Sequence, residues 1–154
     1  MQTDDRPTCE FDPDKLIVRF DFTIPAQVRA ITPLVERIVE MVKGLSCASG
    51  KEFEVELSLH EALVNAVVHG SRSDPSKEVQ VSVACDETRG ILIVVRDSGP
   101  GFMPDQIPSP ILGQNIFSIH GRGIYLINQL MDEVSYERGG TEIRMRTRSV
   151  GAGK

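Results

Sequence analysis

The chain has 154 residues, is 40% hydrophobic and 25% charged, and carries a formal net charge of −5, a profile that fits one globular domain able to bury its own core. That charge offers no basic field to a phosphate backbone, which argues against nucleic acid as a partner, and neither an apolar leader in residues 1–14 nor a run of about 18 apolar residues argues for export or a membrane span. Cys9, Cys47 and Cys85 are odd in number, widely spaced and free of any C-x-x-C pair, so the expectation is reduced thiols in the cytoplasm, with neither a disulfide framework nor a zinc site.

"KLIVRFDFT" (15–23) alternates Leu16, Val18, Phe20 and Phe22 with other residues, the period of a half-buried strand. "PAQVRAITPLVERIVEMVKG" (25–44) carries Val28, Ile31, Val35, Ile38, Val39 and Val42 at helical spacing, bent or restarted near Thr32-Pro33 and stopped by Gly44. A second helix spans 51–71 and closes on Gly70. "EVQVSVA" (78–84) and "ILIVVRD" (91–97) are β-branched runs joined by a short turn, which predicts an antiparallel hairpin. A Gly- and Pro-dense stretch follows, too long for a plain connector. "GIYLINQLMDE" (123–133) predicts a third helix beginning at a Gly-x-Gly, and "VSYER" and "TEIRMRTR" flank Gly139-Gly140, a two-residue hairpin signal. The fold class expected is a two-layer α/β sandwich in which about three helices cover one face of a mostly antiparallel, mixed sheet. It forms a single domain over 1–154, with flexible tails at 1–14 and 149–154.

Three features carry chemistry. In "HEALVNAVVHG" (60–70), Ser58, Glu61, Asn65 and His69 fall in a stripe about 80° wide on a helix otherwise covered by Leu, Val and Ala. A carboxylate there needs a polar counterpart such as a pocket, a metal or water, although the same spacing also fits the solvent face of an amphipathic helix. A zinc-protease motif fails because Val64 stands where histidine is required. "RDSGPGF" (96–102) ends a strand on Asp97 and sets Gly99 and Gly101 after it, so that a ligand amino group can meet the carboxylate without a Cβ in the way. "HGRGIYL" (120–126) places Gly121, Arg122 and Gly123 at a helix start, where free N–H groups and a guanidinium favour an anion. Phosphate-loop and protein-kinase motifs are absent from the sequence.

E-x-x-x-N on a helix, D-x-G-x-G after a strand and G-x-G opening a helix, in that order and about 30 and 20 residues apart, resemble the three nucleotide-binding boxes of the GHKL ATPase superfamily with its Bergerat fold. "HEALVNAVVHG", "DSGPGF", "GRGIYLINQLMDEV" and "GGTEIRM" resemble more closely the bacterial anti-sigma-factor serine/threonine kinases, over residues 15–148. The resemblance implies an ATP-dependent kinase that phosphorylates a STAS-type anti-sigma antagonist, sequesters a sigma factor and pairs as a homodimer through residues 15–44. It implies that Asn65 coordinates Mg²⁺ on the ATP phosphates and that Glu61 orients or deprotonates the attacking nucleophile. Asp97 would bind the adenine amino group with Thr141 beside it, Gly99 and Gly101 would border the base, and Gly121, Arg122 and Gly123 would contact phosphates from a lid over about 102–122. His69 would be structural. The alternative is a nucleotide-binding regulatory module, or an ATPase of another signalling system, without kinase activity.

Overall fold

The computed structural model describes residues 16–86, 88–99 and 119–149, the last segment with side chains from Gly123 onward. The expected N-terminal tail, the C-terminal tail beyond Ser149, Gly101 and most of the expected lid lie outside the described residues. Strands β1 (Leu16–Pro25), β2 (Glu78–Asp86), β3 (Gly90–Arg96), β4 (Glu133–Glu137) and β5 (Glu142–Thr147) form one sheet in the order β1-β2-β3-β5-β4. Every pairing among the described residues is antiparallel, which corrects the expectation of a mixed sheet. The reason is the last hairpin: β4 runs parallel to β3, and β5 folds back between them.

Register decides which side chains meet the helices. Val81 pairs with Val95, Val83 with Ile93, and Ile93 with Met145, so Val79, Val81, Val83, Ile91, Ile93, Val95, Ile143 and Met145 share one buried face. Against it pack α1 (Ile31–Lys43), α2 (Glu52–Val64) and α3 (Ile119–Leu130), through Leu34, Val35, Ile38 and Val42, then Val55, Leu59 and Leu63, then Ile127. Each such side chain taken from water contributes about 1.5–3 kcal/mol before entropy is counted. Among the described residues no helix is long and apolar enough to cross a membrane.

Three boundaries differ from the sequence pattern. A short 3-10 turn, Val28–Ala30, precedes α1, and Pro33 falls in the first turn of α1, where an N–H has no intrahelical partner to lose, so the helix restarts instead of bending. The last hairpin turns through Arg138–Gly140, all three with positive φ (55°, 68° and 93°), and is longer than the Gly139-Gly140 pair suggested. α3 begins at Ile119, before the Gly-x-Gly read as its start.

Cys47 and Cys85 are joined in a disulfide with Cα atoms 5.9 Å apart, buried in the core, which overturns the expectation of reduced thiols. A separation of 38 residues hides the pairing. Only the packing of the α1–α2 connection over β2 brings the two sulfurs together. Reduction with dithiothreitol is expected to cost up to about 4 kcal/mol of stability, the chain-entropy value for a loop of this length. Urea titrations with and without reductant measure it, and coincident midpoints would show that the bridge contributes nothing.

Candidate functional site

The site starts from α2, which packs against α1, α3 and the sheet while carrying Glu61 and Asn65 half-buried on one side. At Asn65 the helix widens into a π turn, Asn65–Gly70, and Ser71 donates its N–H five residues back to the Ala66 carbonyl at 2.8 Å. Such turns concentrate at functional sites because they redirect side chains without ending the helix. His69, in the same turn, is exposed, whereas Glu61 and Asn65 are half-buried. Ser58, at the head of the expected stripe, is fully buried.

The counterpart of Glu61 and Asn65 is the backbone of α3. A Cβ added to Gly123 would lie 2.7 Å from Glu61 Oε2 and within 3.7 Å of both polar atoms of the Asn65 amide. Gly123 is therefore inside the helix for close approach, accepting a propensity cost of about 1 kcal/mol. Behind Asn65, Ala62, Ala66, Ile124, Tyr136 and Ile143 enclose a cavity of about 30 Å³, and burial pushes the Tyr136 hydroxyl pKa up to about 12.

The second group gathers where β3 ends. Asp97 donates its backbone N–H to the Thr141 carbonyl at 2.8 Å, and its Oδ1 accepts the Gly99 N–H at 2.7 Å. Thr141 is thus beside Asp97, but its hydroxyl donates to the Arg138 carbonyl at 2.9 Å. Gly70 abuts the Asp97 carboxylate on the side facing α2. Desolvation raises the Asp97 pKa above its ordinary value, opposed by the Gly99 N–H and the charge of Lys77. Asp97 also borders an open cleft of about 460 Å³, with Lys77, Arg138 and Ser98 on its rim.

Glu61, Asn65 and Gly123 therefore meet in one group, and Asp97, Gly99 and Thr141 in another. The π turn joins the two, Asn65 at its start and Gly70 at its end. Gly121 and Arg122 lie in the first turns of α3, next to the first group along the chain. Gly70 and Lys77 were not singled out by sequence: Gly70 read as a helix stop, and Lys77 lies in a polar turn without a motif. Asn65 and Glu61 present hard oxygen donors, and no cluster of three or more His, Cys, Asp or Glu occurs among the described residues. A cation here fits Mg²⁺ that takes most of its ligands from phosphate and water.

Residues 24–147 match the model of the histidine kinase-like ATPase domain family. An anti-sigma F factor of Bacillus cytotoxicus is 31% identical over 97 residues, 60% of this chain and 66% of its own length. The serine-protein kinase RsbW of Bacillus subtilis is 34% identical over 89 residues, 53% of this chain and 54% of its own length. The matched part thus spans slightly under two thirds of one relative and about half of the other. Both matches agree with the resemblance read from the three boxes.

Because the folded-state pKa of Asp97 is raised, its ionised form weakens the fold above that pKa, and the penalty disappears as pH falls toward the unfolded value. Asp97→Asn, which keeps an acceptor for the Gly99 N–H, is expected to raise the melting temperature of the unliganded protein at pH 7 by roughly 2 °C or more. The gain should shrink to nothing near pH 4. Scanning fluorimetry across that range checks it; a lower melting temperature for the variant at pH 7 would contradict the assignment.

Proposed function

The chain belongs to the histidine kinase-like ATPase domain family, and we propose from that premise that it is an ATP-dependent protein serine/threonine kinase and anti-sigma factor. Its substrate in this reading is a serine of a STAS-type anti-sigma antagonist, and its second partner is a sigma factor. The observation that carries the reading is the convergence of Glu61 and Asn65 on the backbone of α3 at Gly123, with Asp97 joined to them through a single helical turn. This supports a ligand with a base at one end and a polyanion at the other.

Phosphoryl transfer needs alignment and charge neutralisation more than covalent assistance. Asp97 accepts the adenine amino group, and Gly99 keeps the approach open. Asn65 would hold Mg²⁺, which would supply charge neutralisation for the phosphates. Arg122, with the amides of Gly121 and Gly123, meets the phosphates from the start of α3, and Gly101 borders the base. Glu61 orients the serine hydroxyl and takes its proton as the oxygen attacks the γ-phosphorus and the bond to the leaving ADP breaks.

A homodimer in this reading uses β1, an edge strand of the sheet, and the neighbouring turn with exposed Ile17 and Val28. In this reading the protein works in the cytoplasm, with the Cys47–Cys85 bridge buried in its core. Glu61→Gln is expected to keep Mg·ATP binding in calorimetry and to slow phosphate transfer from labelled ATP to the antagonist by at least about 100-fold, the usual loss for a general base. Undiminished transfer would remove the role given to Glu61. Binding of ATP by the native protein with no label on any antagonist serine would favour a regulatory nucleotide-binding module.

A further inference from the structure

We propose that Gly70 is a positioning residue that sets nucleobase choice, because its bare Cα is the seat that fixes the direction of the Asp97 carboxylate. The proposal rests on the reading of Asp97 as the base-binding group of an adenine nucleotide site.

A carboxylate at the end of a strand is not by itself selective. The backbone bond from Asp97 to Thr141 fixes the main chain and leaves both side-chain torsions free. The Gly99 N–H holds one oxygen, Oδ1, at 2.7 Å. What removes the remaining freedom is contact with Gly70: a Cβ built there would lie 2.8 Å from Asp97 Oδ1 and closer still to Cγ and Oδ2. The carboxylate therefore occupies the volume in which any other residue would carry its side chain.

Neither partner can retreat. A Cβ on Gly99 would come within 2.6 Å of the Gly70 carbonyl carbon and 3.0 Å of Asp97 Oδ1, so Gly99 closes the space behind. Gly70 itself is held by the π turn, through the Ser71 N–H bonded to Ala66 and the Ser73 N–H bonded to Val67, both at 2.8 Å. A methyl group at position 70 would have to turn the carboxylate toward the open cleft. There it would meet Lys77, whose charge already acts on it.

The consequence is chemical selection. Adenine offers an exocyclic amino donor, guanine a carbonyl oxygen in its place, and unsubstituted purine neither. Only an acceptor held at a fixed place turns that difference into a large affinity ratio, because a mobile one finds water for any base. Gly70, at the far end of the turn that begins with Asn65, also ties the base-reading group to the phosphate-facing one.

The test compares Mg·ATP with the triphosphate of purine riboside, which lacks the amino group, by calorimetry on the full chain. The native protein is expected to prefer ATP by 100-fold or more. Gly70→Ala should keep its circular dichroism and its magnesium dependence while that preference falls at least tenfold. Combined with Asp97→Asn, it should cause no further loss of preference than Asp97→Asn alone, as residues acting through one another do. Gly99→Ala, pressing the same seat from behind, should give the same fall and serves if Gly70→Ala does not fold. A folded variant at either position with the native preference overturns the proposal. Absence of ATP binding by the native protein overturns the nucleotide reading instead.

Discussion

Glu61 and Asn65 stand half-buried on one side of the helix that packs against α1, α3 and the sheet, and the backbone of α3 is pressed close to both. A carboxylate in such a position costs free energy unless a partner or a cation answers it. Bringing α3 to within touching distance at Gly123 supplies backbone where a side chain would have sealed the space. That closeness explains why glycine interrupts an otherwise good helix, and why α2 and the π turn after it present the small Ala62 and Ala66 on this side. The packing of two helices and the opening of a site are one constraint here.

The sheet delivers the other half of the site. β3 and β5 are clamped on the face opposite the helices, where Glu142 accepts from Arg96 at 2.9 Å through one oxygen and from Arg144 at 2.9 Å through the other, with Glu142 and Arg144 both buried. Net stabilisation from a buried network of this kind is small, because desolvation offsets attraction, yet its geometry is costly to break. Arg96 and Glu142 are the immediate neighbours of Asp97 and Thr141. Fixing the first pair on one face of the sheet fixes the second on the other, one residue along each strand.

What was legible in the sequence follows the range of the interactions involved. Period-two runs in β1, β2 and β3 and helical spacing in α1 and α2 depend on neighbours a few residues away, and their elements match to within a few residues. The order Glu61-Asn65, Asp97-Gly99, Gly123 was visible for the same reason: each piece is local, and only their convergence is tertiary. The π turn was not legible, since widening a helix by about one residue leaves no mark in composition. Nor was the reason for Gly70, because a glycine that ends a helix and one that makes room for a carboxylate from another strand look alike in one dimension. The start of α3 was misread by the same ambiguity in reverse: Gly123, taken as a helix opener, is a point of contact. The Cys47–Cys85 bridge joins a loop to a strand 38 residues on, beyond any local pattern.

Stability and chemistry pull against each other along this edge. Asp97 is held by a backbone N–H and a close glycine, and desolvation still leaves its ionised form disfavoured. Asp86, buried at the end of β2, meets the same tension differently: against its desolvation, N–H groups of Thr88 and Arg89 at 2.7 and 2.9 Å and the Thr88 hydroxyl at 2.9 Å all donate to Oδ1 and lower its pKa, while the buried Oδ2 has no hydrogen-bond partner among the described residues. Both aspartates come at strand ends, but Asp86 is sealed in its turn whereas Asp97 borders an open cleft. A carboxylate that a solute can reach gains from a bound amino group, whereas one closed off from solvent never meets it. The difference between the two aspartates is thus what separates a turn from a site.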